Sequence, residues 1–119
     1  MKVLVVHRQK EVTRIIKEQL NPWYVHRAHT GLEGLIQSRI ERFDLVISSL
    51  DLPVVTGIEM VRSIRLCSCY KNVPVVIMAL GSETPSHADL LNRLNANLLS
   101  MREVYEMQKL VVDPENYVR

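Results

Sequence analysis

Short apolar runs alternate with helical repeats along the whole chain, and that alternation limits the folds open to it. Val3–Val6 is a continuous apolar run, as in a strand buried on both faces. Val12, Ile15, Ile16 and Leu20 follow at helical spacing, and Asn21-Pro22 ends that helix. Trp23–Ala28 reads as a second, more polar strand of edge type. Leu32, Leu35, Ile36 and Ile40 repeat the helical spacing in the next helix. Leu45–Ile47 is a short buried strand; Leu52-Pro53 opens a loop, and Gly57 leads into a helix with Ile58, Val61 and Ile64 inward. Val73–Met78 is the most apolar strand. Thr84-Pro85 reads as an N-cap followed by proline at the first helical position, with Leu90, Leu91 and Leu94 lining the helix. A weak strand at Ala96–Leu99 precedes Ser100-Met101-Arg102-Glu103, a capping box that opens a last helix carrying Val104, Met107 and Val111.

Five strands alternating with five helices predict an α/β fold: a doubly wound, flavodoxin-like parallel sheet with helices on both faces. The buried look of the first, third and fourth strands and the polar second favour the order 2-1-3-4-5. In such sheets ligands bind beyond the carboxyl ends of the strands, at the switch point. The positions that should carry chemistry are therefore His7 and Arg8, Ser48 to Asp51, and Ala79 to Gly81.

Composition excludes several classes. With 119 residues and a net charge of +2, the chain is one ordinary globular domain. No apolar run approaches the ~18 residues of a membrane span, and the N-terminal apolar stretch is too short for a signal peptide. The basic residues are scattered among acidic neighbours with no aromatic interleaving, so direct nucleic-acid binding has no support. No glycine-rich phosphate loop is present, which counts against a cofactor-binding enzyme. The expected location is cytoplasmic, with Cys67 and Cys69 as reduced thiols at a helix end.

Three segments carry a family resemblance. "AHTGLEGL" at 28–35, "FDLVISSLDLPVVTGIEMVRSIR" at 43–65 and "VPVVIMAL" at 73–80, in that order and spacing, resemble the receiver domain of bacterial response regulators, of the chemotaxis-regulator type. The resemblance covers about residues 2 to 110. It implies phosphoryl transfer to an aspartate. An acidic pair after the first strand and that aspartate hold Mg²⁺, a hard cation suited to carboxylates. A Thr or Ser after the fourth strand and a Lys after the fifth contact the phosphate, and an aromatic on the fifth strand couples to the Thr as a switch.

This sequence departs from that pattern at each position. His7 and Arg8 replace the acidic pair. Ser49, four residues before Pro53, replaces the acceptor, and Ala79 replaces the Thr. The Lys position falls near Met101 and the aromatic switch near Leu98. One positive charge thus stands where the family keeps three carboxylates, and two unit charges ~4 Å apart are worth roughly 4 kcal/mol at an effective dielectric near 20. The expectation is a degenerate, non-enzymatic receiver that takes no Mg²⁺ or other cofactor and forms no aspartyl phosphate.

Two alternatives stay open at this edge. Asp51 is either a loop residue paired with Arg8 or an off-register phosphoacceptor; Arg8 and Ser49, with His7, are either structural or a small anion site. Output would pass through protein contacts, to a partner or a second copy. The surface would be that of the fourth helix, fifth strand and fifth helix, where Leu90, Leu94, Tyr105 and Met107 are candidate interface residues. Residues 1–112 read as the receiver-like domain and 113–119 as the start of a linker or C-terminal tail, the N-terminal part of a longer regulator.

Overall fold

A computed structural model of the chain describes residues 1–79 and 85–106. The elements alternate throughout: β1 (Lys2–Val6), α1 (Lys10–Gln19), β2 (Tyr24–Ala28), α2 (Gly31–Ile40), β3 (Leu45–Ser49), α3 (Gly57–Arg65), β4 (Val75–Met78), α4 (Pro85–Arg93), β5 (Ala96–Leu99) and α5 (Met101–Tyr105). A single 3₁₀ turn, Ser68–Tyr70, lies between α3 and β4. All neighbouring strands pair in parallel, in the order β2-β1-β3-β4-β5. The expected architecture and strand order are therefore those observed.

The near-continuous apolar runs of β1, β3 and β4 are explained by helices covering both faces of the sheet. Val3, Val5, Ile47 and Val76 meet α1 and α5 through Val12, Ile16 and Val104. Leu4, Val6, Val46 and Ile77 meet Met60, Val61 and Ile64 of α3 and Leu91 of α4. The helix starts follow local chemistry. Thr30 accepts from Glu33 N–H at α2, and Thr56 with Glu59 makes a capping box at α3. Ser100 with Glu103 makes the one read from the sequence at α5. Among the described residues no helix is long and apolar enough to cross a membrane.

Helix α2 turns most of its apolar stripe away from the sheet. Leu32, Ile36 and Ile40 are 57%, 49% and 69% exposed, and only Leu35 of that stripe packs against the core. The face turned to the sheet is Gly31, Gly34 and Ser38. Close approach is the reason. A Cβ on Gly31 would stand 2.4 Å from the Val55 carbonyl oxygen, and one on Gly34 would stand 2.8 Å from Val6 Cγ2 and 2.9 Å from Met60 Sδ. The helix lies too near its neighbours for large side chains, so its apolar stripe is left outside. In α3, likewise, Met60 joins Val61 and Ile64 inside, while Ile58 is half-buried.

Two side chains fasten the end of the sheet opposite its carboxyl edge. The buried Tyr70 hydroxyl donates toward the Ser38 (2.7 Å) and Glu41 (3.0 Å) carbonyls and accepts from Phe43 N–H (3.3 Å). It thereby joins the end of α2 to the approach to β3. The Arg65 guanidinium donates to the carbonyls of Tyr70 (2.5 Å), Val73 (2.6 Å), Leu94 (3.1 Å) and Asn95 (3.1 Å). Asn95 itself has φ 56°, the left-handed conformation that Asn tolerates.

Candidate functional site

Three strand ends converge at the carboxyl edge of the sheet. Val6 pairs with Ser48 and Ser49 with Met78, which brings His7, Ser49 and Ala79 to adjacent positions. His7 is 8% exposed and Ser49 3% exposed. His7 N–H donates to the Ala28 carbonyl (3.0 Å) and Ala79 N–H to the Leu99 carbonyl (2.6 Å), so both strands stay paired up to the site. The two serine hydroxyls are spent locally: Ser48 Oγ on the Ser49 carbonyl (2.9 Å) and Ser49 Oγ on the Asp51 carbonyl (3.5 Å).

The turn after β3 holds this edge closed. Gly57 N–H donates to the Leu50 carbonyl (3.1 Å), and a Cβ on Gly57 would stand 2.4 Å from the Ser49 carbonyl oxygen. Val54 is almost fully exposed at φ 66°, an outlier for a β-branched residue. Only glycine lets α3 begin directly against the Ser49 backbone.

The electrostatics of the edge are basic. Gln9 N–H donates to His7 Nδ1 (3.0 Å), which leaves the ring proton on Nε2. Burial, then the nearby Arg27 and Arg8 guanidiniums, hold the imidazole below its usual range, so it is neutral at pH 7. Arg8 does not fill a pocket. It is more than half exposed, with Nη2 4.0 Å from Asp51 Oδ2, and Asp51 is more exposed still. A pair so hydrated contributes at most ~1 kcal/mol. Asp51 points outward beside Arg8, while Ser49 occupies the strand end.

Arg27 is a residue that sequence reasoning missed. From β2 its Nη2 donates to the Arg8 carbonyl (3.3 Å) and Nη1 contacts His29 Nε2, while its Nε is buried without a partner. The only signal in the sequence was its place opposite Val5 in an edge strand, which fixes no partner.

The fifth unit keeps the element order read from the sequence. Leu99 ends β5 and Ser100 caps α5 at once, so Met101 is the first residue of that helix and 40% exposed. It extends the helix and does not stand at a strand end. Leu98 is half-buried on the core side of α4. Of the candidate interface residues, Leu90 and Leu94 are half-buried, Leu94 against the core, and Tyr105 packs against the cluster of α1. Met107 lies outside the described residues, as does the 112/113 domain boundary. The largest exposed apolar stripe among the described helices is that of α2.

Comparison with known proteins gives a consistent answer. No protein-family model matches the chain. A stretch of 90 residues, 75% of the chain, is 31% identical to a hybrid signal transduction histidine kinase of Dictyostelium discoideum. A stretch of 83 residues is 32% identical to the KDP operon transcriptional regulatory protein KdpE of Escherichia coli. The chain spans 6% and 36% of those two proteins. Among solved structures, the chemotaxis protein CheY4 of Vibrio cholerae superposes with a TM-score of 0.81 at 26% identity, covering 92% of this chain and 97% of that one. The receiver domain of a Francisella response regulator superposes at 0.78 with 21% identity, covering 99% and 98%. With near-complete mutual coverage of a solved chemotaxis regulator and 31–32% identity to signalling and regulator sequences, the chain belongs to the response-regulator receiver domains of the CheY-like kind.

Proposed function

We propose that this receiver domain is a non-enzymatic interaction module that works in the cytoplasm, in signal transduction or transcription regulation, without aspartate phosphorylation. The observation that carries the reading is the carboxyl end of β3. The residue there is Ser49, buried, with its hydroxyl turned onto the following backbone. A neutral His7 and a cationic Arg8 stand beside it where Mg²⁺ would need carboxylates. Asp51, the acid nearest in sequence, faces solvent and Arg8. Output then rests on protein contacts, with a partner or a second copy, through the face of α4, β5 and α5.

Titration with Mg²⁺ and beryllofluoride, followed by amide NMR, tests this. The expected result is no saturable shift at His7, Ser49 or Ala79. Shifts clustered at those three residues overturn it.

A second reading is favoured by Arg27. Its unpartnered Nε, with Arg8 close by, suits a small anion held at this edge. Inorganic phosphate titration should then shift Arg27 and Arg8 side-chain resonances saturably in wild type and not in Arg27→Gln. Linear, unsaturated shifts would exclude the anion site.

A further inference from the structure

The outer face of α2 carries three large apolar side chains that the fold itself does not use. Leu32, Ile36 and Ile40 stand four residues apart, so they stack on one face over successive turns. All three are exposed. Nothing inside the molecule dictates apolar residues there, because the close approach of α2 to Val6, Val55 and Met60 is made by Gly31 and Gly34 on the other side of the helix. A single exposed apolar side chain is ordinary, but a contiguous row edged by charge marks a contact surface.

The charges along this row fit a second copy of the chain. Ile36 is the middle of the row, with Glu33 three residues before it and Arg39 three after. A two-fold axis at Ile36, perpendicular to the helix, sets two copies of α2 antiparallel. Residues equally far from Ile36 then come to the same level. Ile36 meets its own copy, Leu32 stands beside Ile40, and Glu33 is level with Arg39. A parallel pair would instead set Glu33 level with Glu33 and Arg39 with Arg39. The antiparallel pair avoids those like charges and lays the two helix dipoles head to tail. Both charges are available for it. Arg39 is exposed and has no carboxylate partner among the described residues. Glu33 uses only Oε2 within the chain, on the His29 N–H (3.1 Å) and Nδ1 (3.4 Å).

We propose that two copies of this chain associate through α2, antiparallel about Ile36, with Leu32 against Ile40 and Glu33 level with Arg39. The size of the face sets the strength of the pair. Helix α2 has 10 residues, so its outer face is ~15 Å long and ~10 Å wide. That is well short of the ~800 Å² per partner of a standard interface, so the pair is weak and forms only at high concentration. Helix α2 lies over β1 and β2, at the opposite edge of the sheet from β5. The pair therefore leaves the face of α4, β5 and α5 open to another partner.

Sedimentation equilibrium of the full chain tests the proposal, with amide NMR over the same concentrations. Wild type should be a monomer at ~10 μM and approach the dimer mass near ~1 mM. The amide shifts that grow with concentration should cluster at residues 32 to 40. Ile36→Gln, an exposed position, should weaken association by about tenfold or more. Arg39→Glu should weaken it by about threefold or more, because Glu then stands level with Glu33 at both ends. The double exchange Glu33→Arg with Arg39→Glu should restore it to about the wild-type value, as the opposite charges are level again. Thermal melts of each variant near the wild-type temperature show that the fold is kept. A monomer at every concentration, a dimer as strong in Ile36→Gln as in wild type, shifts clustered instead on α4 and β5, or no recovery in the double exchange would overturn it.

Discussion

Replacing Tyr70 by Phe removes one oxygen and keeps the buried ring. That hydroxyl donates toward the Ser38 and Glu41 carbonyls and accepts from Phe43 N–H, at 2.7, 3.0 and 3.3 Å. One donated bond is lost, at ~1 kcal/mol. The Phe43 N–H is also left buried without a partner, at a cost of ~1–3 kcal/mol. The total is about 2–4 kcal/mol. For 119 residues the unfolding entropy is roughly 250 cal/mol/K, so each kcal/mol lowers Tm by ~4 °C. Tyr70→Phe should therefore melt about 8–16 °C below wild type by circular dichroism, with an unchanged urea m-value. A loss under 1 kcal/mol would mean that the hydroxyl does not hold the end of α2 to the approach to β3.

Three further outcomes follow from the packing and the charges. Gly57→Ala places a methyl 2.4 Å from the Ser49 carbonyl oxygen and should cost about 1–3 kcal/mol in urea unfolding; a neutral effect would refute the tight β3–α3 junction. Ile36→Gln and Ile40→Gln on the outer face of α2 should change stability by no more than ~0.5 kcal/mol, against ~2–5 for a core isoleucine cut to alanine, and a core-sized loss would contradict the outward stripe. His7 has a lowered folded pKa, so the unfolded chain binds its proton more tightly. Its contribution is present above pH ~6.5 and is lost as pH falls below that value. Urea melts between pH 7.5 and 5.5 should show this slope, weakened in His7→Gln, and an NMR titration of His7 at or above 6.5 would contradict it.

The parts legible in the sequence were those set locally. The Val3–Val6 run, Pro85 at the start of α4 and the Ser100/Glu103 capping box each depend on neighbours a few residues away, and each stands where the pattern placed it. The period of Leu32, Ile36 and Ile40 correctly marks a helix, but its phase is set by distant partners, Val6, Val55 and Met60, which admit only Gly31 and Gly34. Periodicity carries no information on which neighbour lies too close for a side chain. Arg65, Tyr70 and Arg27 were illegible for the same reason. Their partners, such as Leu94, Asn95, Ser38 and Arg8, are 19 to 32 residues away in the chain. At the site, His7, Ser49 and Ala79 were legible because strand ends of a known order must meet, whereas the outward turn of Arg8 and Asp51 depends on side-chain solvation.

Independence from aspartate phosphorylation is tested most directly by chemical phosphoryl transfer. The chain is incubated with acetyl phosphate and Mg²⁺, quenched in acid and weighed intact, beside Asp51→Asn. The account predicts no added phosphoryl group in either protein. A hydroxylamine-labile phosphoryl group on wild type, absent from Asp51→Asn, would contradict it.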